Sequence, residues 1–384
     1  MPLSNSTTQV VSGKQKKKKP DLVLITALVL ILAIGFVMVY STSSYKAVEM
    51  YGDSFYFLKR QLIFSLVGMV IMFIIAKKDY EVLYEYSRVI LIVSMALLCL
   101  VYIIGSASHG SSRWLNIGPF RFQPSEFAKL ALIIYTAAVC TAKTKELAKF
   151  KSFLKAMILP FTAIVLIAIE NLSTAIICLV IVAAVNFVAS PKNWYFVVLG
   201  LMVVVFCVLF IAFAGYRAQR IKVWLHPEQY DNGYQTLQSL YAIGSGGLFG
   251  RGLFKSIQKM GFIPESHNDM IFSVICEELG FIGAVMIIAL FVIIIKRCAV
   301  VAMNSRDRFG GLLVVGVMAH IAIQVLINIC VVTNTIPPTG VPLPFVSYGG
   351  SSMVCTLMEL GIVFSVASHR EQMTYDREDK KNAN

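Results

Sequence analysis

Residues 22–40 read LVLITALVLILAIGFVMVY, directly after the polar stretch Lys16-Lys17-Lys18-Lys19-Pro20-Asp21. At 1.5 Å per residue a helix of that length spans about 28 Å, the thickness of a hydrocarbon core. The run has no small-residue cleavage site, so it reads as a membrane helix and not as a removed signal peptide. The lysines before it read as a topogenic tag that holds the N-terminus in the cytoplasm. The rest of the 384 residues follows suit, with 57% hydrophobic and 14% charged residues and a mean hydropathy of +0.74. Soluble chains carry about 45–50% apolar and about 25% charged residues. The composition excludes a soluble enzyme with one anchor, a disordered chain and a disulfide-stapled secreted domain. The fold class is all-α, a polytopic membrane protein.

Ten apolar segments are expected, at about 22–41, 58–76, 88–105, 125–141, 154–169, 172–189, 193–214, 270–296, 310–333 and 350–368. Only Glu170-Asn171 separates the fifth from the sixth, which demands a very tight turn. The loop charges test the count. With both ends inside, Lys77, Lys78, Lys143, Lys145, Lys149, Lys151, Lys155, Lys192, Lys296, Arg297, Arg306 and Arg308 fall in inner loops. Outer loops near 42–57 and 334–349 hold only Lys46, the asymmetry that cytoplasmic retention of cations produces. The chain divides into a cytoplasmic tail (1–21), a ten-helix membrane domain (22–368) and a cytoplasmic C-terminal tail (369–384). The net charge of +13 belongs to this topology and not to nucleic-acid binding. The eight cysteines lie in or beside apolar runs, form no CxxC or Cys/His cluster, and read as small packing residues.

One outer loop, 215–269 between helices 7 and 8, carries stranded cations at Arg217, Arg220, Lys222, Arg251, Lys255 and Lys259. Its Trp224 and the run Ile243-Gly-Ser-Gly-Gly-Leu-Phe-Gly-Arg-Gly252 argue for an ordered loop, and loops of that length are commonly functional. Three outer constellations carry chemistry. The first is Gly110-Ser-Ser-Arg113-Trp114, continuing through Arg121-Phe-Gln-Pro124-Ser-Glu126 to Lys129. Pro124 fits a first helical turn, and an ammonium one turn deeper in a membrane is a functional candidate, with pairing to Glu126 as the bland alternative. The second is Pro264-Glu-Ser-His267-Asn268-Asp269, where Asp269 is a catalytic carboxylate or a helix N-cap, and His267 a base or polar surface. Glu277 and Glu278 beyond it need partners, and the loop cations are available. The third is Pro337-Pro-Thr-Gly-Val-Pro-Leu-Pro-Phe-Val-Ser347-Tyr-Gly349-Gly350, a rigid non-helical segment that lines a cavity or makes a packed turn.

These stretches resemble the SEDS family (shape, elongation, division and sporulation), the FtsW, RodA and SpoVE proteins. The resemblance runs over roughly 22–370 and includes Gly52-Asp-Ser-Phe-Tyr-Phe-Leu-Lys-Arg-Gln61, Tyr234-Gln235, Gln238-Ser239 and Ile243-Gly-Ser-Gly-Gly247. The uninterrupted proline segment is most similar to the FtsW/SpoVE branch. The resemblance implies a glycosyltransferase of the bacterial cytoplasmic membrane that polymerises lipid II beside a class B penicillin-binding protein and other divisome or elongation proteins. It implies Asp269 as the essential carboxylate, and Arg121 and Lys129 as contacts to the lipid-linked substrate. The wider set of candidate substrate contacts is Arg113, Trp114, Glu126, Lys255, His267, Asn268, Ser347, Gly349 and Gly350. A divalent cation, Mg or Mn, is a candidate aid to the leaving group, with no dedicated site in the sequence. Two departures stand out. Glu170-Asn-Leu-Ser-Thr174 replaces the family's Pro-Asp-Leu-Gly-Thr, and Phe254 stands where Gly is common. The rival readings are a lipid II flippase and a non-catalytic division scaffold.

Overall fold

A computed structural model describes residues 21–108, 111–117, 120–143, 149–190, 200 and 221–382. Among them, nine helices are long and apolar enough to cross a membrane. They are α1 (Leu22–Tyr51), α2 (Tyr56–Lys77), α3 (Val82–Ile104), α4 (Pro124–Ala142), α5 (Phe150–Glu170), α6 (Leu172–Ala189), α8 (Ile271–Met303), α9 (Arg308–Val332) and α10 (Gly350–Asn382, spanning over Gly350–His369). A shorter α7 (Tyr234–Gly246) lies in the long loop. The protein is a multi-pass membrane protein. The apolar segment 193–214 apart from residue 200, the tail 1–20 and the cations Lys145, Lys192, Arg217 and Arg220 lie outside the described residues.

Helices α4, α9 and α10 bury the largest shares of their spans and form the centre. The outer faces of α2 and α3 leave Leu62, Leu66, Phe73, Val89 and Ile103 bare, as a lipid-facing surface requires. Asn171 both ends α5 and caps α6, its side chain accepting from Ser173 N–H at 3.0 Å and Thr174 N–H at 3.3 Å. That is the tight turn the sequence demanded. It also gives the family departure a physical reading, because Asn caps a helix as well as Asp does.

The all-α expectation needs one amendment. Between α3 and α4 the chain makes a small antiparallel sheet of β1 (Ser106–Ser108), β2 (Ser111–Ile117) and β3 (Phe120–Phe122). Strand β3 leads into α4, where Pro124 takes the first helical position and its missing N–H costs nothing.

Helix α8 is broken at Gly280 (φ 69°, ψ −168°). In a continuous helix Phe281 and Ile282 would donate to the carbonyls of Glu277 and Glu278. They donate instead to the carbonyls of Gly247 at 2.9 Å and Leu248 at 3.2 Å. The freed carbonyls of Glu277 and Glu278 accept from Arg251 N–H at 2.9 Å and Gly252 N–H at 3.0 Å. The glycine-rich loop is thus stitched into the break, and these backbone groups stay satisfied. The two carboxylates complete the seam. Glu278 accepts from Lys259 Nζ at 2.7 Å, Ser41 Oγ at 2.7 Å and Phe254 N–H at 3.1 Å. Glu277 accepts from Ile257 N–H at 3.0 Å and Ser256 Oγ, with Arg251 Nε at 3.8 Å. Of the loop cations, Lys259 and Arg251 are therefore the partners of these glutamates. Phe254 sits at φ 65°, the region that favours glycine, and its N–H bond to Glu278 offsets that strain.

Backbone approaches this close at Gly280. An added methyl would lie 2.3 Å from Gly250 N and 2.5 Å from Leu248 O, with φ still left-handed. Gly280→Ala should therefore destabilise by about 3 kcal/mol or more. The expected observation is loss of monodisperse protein in detergent or a clearly lowered melting temperature. Wild-type melting of this variant contradicts the stitched break.

Candidate functional site

The proline segment folds back into the helical domain. Gly35, well inside α1, faces it so closely that an added Cβ would lie 2.5 Å from Phe345 O. Four prolines remove backbone donors from Pro337–Gly350, so side chains from neighbouring helices satisfy its carbonyls. Gln324 Nε2 donates to Pro342 O at 3.0 Å, Asn328 Nδ2 to Val341 O at 2.8 Å, and Gln61 Nε2 to Ser347 O at 3.1 Å. Both sequence readings hold together. The segment is packed, with Leu343, Phe345 and Val346 buried, and it also walls a cavity.

That cavity lies between the proline segment and helices α4, α6 and α9. Gln123, Glu126, Lys129, Asn171, Gln324, Gly340 and Pro342 line it. Lys129 is 1% exposed and Glu126 5% exposed, and they pair at 3.0 Å. The pair follows from sequence, because residues three apart on a helix share a face. Lys129 Nζ also donates to Gln324 Oε1 at 3.0 Å. Behind it, His320 Nε2 lies 2.7 Å from Gln324 Oε1 and His320 Nδ1 lies 2.7 Å from Glu359 Oε2.

Asp269 is half-buried at the edge of this wall. Its backbone carbonyl accepts from Asn328 Nδ2 at 2.8 Å, the same amide that holds Val341. A Cβ built on Gly340 would lie 3.8 Å from Asp269 Oδ2. Met270, not Asp269, occupies the N-cap of α8, so helix capping does not explain the carboxylate.

The other sequence candidates divide. His267 is not polar surface. It is 3% exposed and packs against Phe57 (centroids 4.6 Å) and Tyr348 (5.7 Å). Burial pushes its imidazole down to about 4. Asn268, Ser347 and Gly349 secure the segment: Ser347 Oγ donates to Asn268 O at 2.6 Å, Tyr348 N–H to His267 O at 2.9 Å, and Gly349 N–H to Gln61 Oε1 at 3.3 Å. Gly350 begins α10 against the Phe64 ring. Arg113 Nε donates to Glu170 O at 3.2 Å, and Trp114 is its half-buried neighbour in β2. Arg121 is exposed on β3, two residues before the lining residue Gln123. Lys255 is exposed on the stitched loop and does not line the cavity. Sequence reasoning missed His320, Gln324, Asn328 and Glu359. Their signal was a polar stripe at four-residue spacing, His320, Gln324 and Asn328, on the otherwise apolar α9.

Among the described residues, no group of three or more His, Cys, Asp or Glu side chains could hold a metal ion. Of the lining carboxylates, Glu126 is paired with Lys129. The described residues that line this cavity do not fit a divalent cation.

Residues 21–372 match the FtsW/RodA/SpoVE family, described as cell cycle protein. The chain belongs to the FtsW/RodA/SpoVE family. It is 41% identical to stage V sporulation protein E of Bacillus subtilis (strain 168), covering 92% of this chain and 98% of that protein. It is 39% identical to the probable peptidoglycan glycosyltransferase FtsW of Trichlorobacter lovleyi, covering 91% and 93%. Among solved structures, a chain from a study of coordinated polymerization and crosslinking by a peptidoglycan synthase complex superposes with a TM-score of 0.78. It shares 27% identity over 92% of this chain and 99% of that one. The rod shape determining protein RodA of Thermus thermophilus gives a TM-score of 0.68 at 26% identity, covering 92% and 97%.

The buried His267 of this FtsW/RodA/SpoVE member makes a prediction about acid stability. Its folded pKa of about 4 lies below the ordinary value near 6.5. Between those values the unfolded chain takes a proton that the folded chain refuses. Stability is therefore lost as pH falls from about 6.5 toward about 4, by about 3 kcal/mol at the lower end. His267→Phe, flanked by the same two rings, should remove that share of the slope. Melting curves at pH 7.5 and 4.5 for both proteins test it, and equal pH slopes contradict it.

Proposed function

We propose that this chain is a peptidoglycan glycosyltransferase that polymerises lipid II into glycan strands on the outer face of the cytoplasmic membrane, in division or sporulation. The observation that carries this reading is a cavity lined by Lys129 and the proline wall, with Asp269 Oδ2 3.8 Å from the place a Cβ would take on the wall residue Gly340. The names of the FtsW relatives support it. So does the likeness to a chain of a complex that coordinates polymerization and crosslinking, which favours a class B penicillin-binding protein as partner.

The reaction forms a bond from the acceptor sugar's 4-hydroxyl to the donor's anomeric carbon and breaks the bond from that carbon to the lipid pyrophosphate. A hydroxyl is a poor nucleophile, and a carboxylate within hydrogen-bond reach helps by taking its proton. Asp269 fills that role. Charge grows on the leaving pyrophosphate, and a fixed cation stabilises it. Lys129 is that cation, already held in place, and Arg121 is the exposed cation nearest the entry in sequence. One in-line displacement turns an α-linked donor into a β-linked product.

A flippase would need polar residues along a full route through the bilayer. Among the described residues, the hydrogen-bonded chain from Lys129 runs through Gln324 to His320 and Glu359. Toward the start of α9 and the far end of the α10 span lie the apolar Val317, Val314, Leu313, Ile362, Val363 and Val366, with Thr136, Asn186 and Ser365 as isolated buried polar groups. A liposome experiment separates the two activities. The protein should not move lipid II between leaflets above background, and with its partner it should make strands that a muramidase digests. Robust translocation without strands reverses the assignment.

A further inference from the structure

The polymerase reading uses Lys129 and Asp269 but leaves two fully buried ionisable groups without a role. His320 is 1% exposed and Glu359 is not exposed at all. Buried ion pairs are seldom retained for stability alone, since apolar residues of similar volume usually serve as well or better. Here the pair is linked to the cavity by a single side chain, Gln324.

The hydrogen-bond chemistry fixes how that link works. Lys129 can only donate, and the Pro342 carbonyl can only accept. Gln324 therefore presents Oε1 to Lys129 and Nε2 to Pro342, at 3.0 Å each, with no freedom to flip. His320 meets the same Oε1, so its Nε2 must carry a proton. Its Nδ1 then faces Glu359 Oε2 with one proton shared between them. Either an imidazolium meets a carboxylate or a neutral ring meets a carboxylic acid, and both forms leave the pair uncharged overall. The amide of Gln324 is held from three sides, and it holds both the cation and the wall of the cavity. Among the described residues, Glu126 and Gln324 accept from the Lys129 ammonium, and Lys129 is one of the residues that line the cavity.

We infer that His320, Gln324 and Glu359 are positioning residues that fix Lys129 and the Pro342 wall in one reactive arrangement. The inference rests on the polymerase reading. None of the three needs to touch substrate. Their effect passes through the orientation of Gln324, and small displacements of a reacting group are costly in rate.

The test replaces the dyad with apolar residues. His320→Leu together with Glu359→Leu leaves no unpaired charge, so the double variant should stay folded and monodisperse. Its kcat for lipid II polymerisation should fall about 10- to 100-fold with KM for lipid II changed much less. Gln324→Met cuts the same link from the cavity side at nearly constant shape and should give the same fall in kcat. Glu359→Gln can still donate to Nδ1, keeps the Nε2 proton in place and should retain wild-type turnover within about threefold. A purely structural dyad predicts that the folded double variant polymerises normally. Wild-type kcat in either the folded double variant or folded Gln324→Met overturns the inference and leaves the polymerase reading intact. Failure of the wild-type protein to make strands with its partner overturns both.

Discussion

Asp269→Asn should abolish strand formation while leaving expression, insertion and melting temperature close to wild type. The substitution keeps shape and removes the carboxylate's capacity to take a proton. The position is fixed through the backbone: the Asp269 carbonyl is held by Asn328 and is untouched by the change. The side chain does not cap α8, because Met270 holds that place, so no helix terminus is lost. Loss of general-base help costs about 10²–10⁴-fold in rate. The measurement is lipid II consumption and product length on a gel, with and without the partner. Near-normal elongation by Asp269→Asn removes the carboxylate from the chemistry. Gly340→Ala gives a companion result. Its methyl would lie 3.8 Å from Asp269 Oδ2 on a backbone at φ +68°. It should impair turnover through backbone strain in the wall.

Lys129 carries the second large effect, and stability and activity separate there. Lys129→Met alone leaves Glu126, 5% exposed, without its counter-charge. Breaking a buried pair from one side costs about 3–5 kcal/mol, so the single variant should express poorly. Adding Glu126→Gln removes the stranded charge and should restore a folded protein. Turnover should not return. The cation that meets the leaving pyrophosphate is gone, a loss of about 10²–10³-fold in kcat for one electrostatic contact. A folded Lys129→Met/Glu126→Gln protein with wild-type turnover makes the pair structural. Arg121→Ala should do less, because Arg121 is exposed on β3 and does not line the cavity.

The membrane helices were legible because hydrocarbon imposes one pattern, long apolar runs. Residues 172–189 and the helix Leu172–Ala189 coincide. The break in α8 was not legible. Gly280 follows Glu277-Glu278, which the sequence marks only as charges in need of partners, and what breaks the helix is a loop about thirty residues earlier in the chain that supplies replacement hydrogen bonds. The β1–β3 sheet was missed for a related reason: its strands are only 3 to 7 residues long and sit among Gly and Ser. At the site, the Glu126–Lys129 pair is local and could be read from its i, i+3 spacing. The His320–Glu359 contact joins residues 39 apart, and Lys129–Gln324 joins residues 195 apart. Sequence offered only the stripe on α9. His267 reads as a loop base by residue type, and the Phe57 and Tyr348 rings that bury it come from distant segments.

The most direct measurement is strand synthesis by purified protein in liposomes containing lipid II, with a class B penicillin-binding protein co-reconstituted and penicillin present. Penicillin blocks the partner's crosslinking, so any polymer comes from glycosyl transfer alone. Wild-type protein should yield linear glycan strands that a muramidase cuts to disaccharide units, and Asp269→Asn should yield none. Equal strand yield from both, or none from wild type in any partner combination, contradicts a polymerase that works through Asp269.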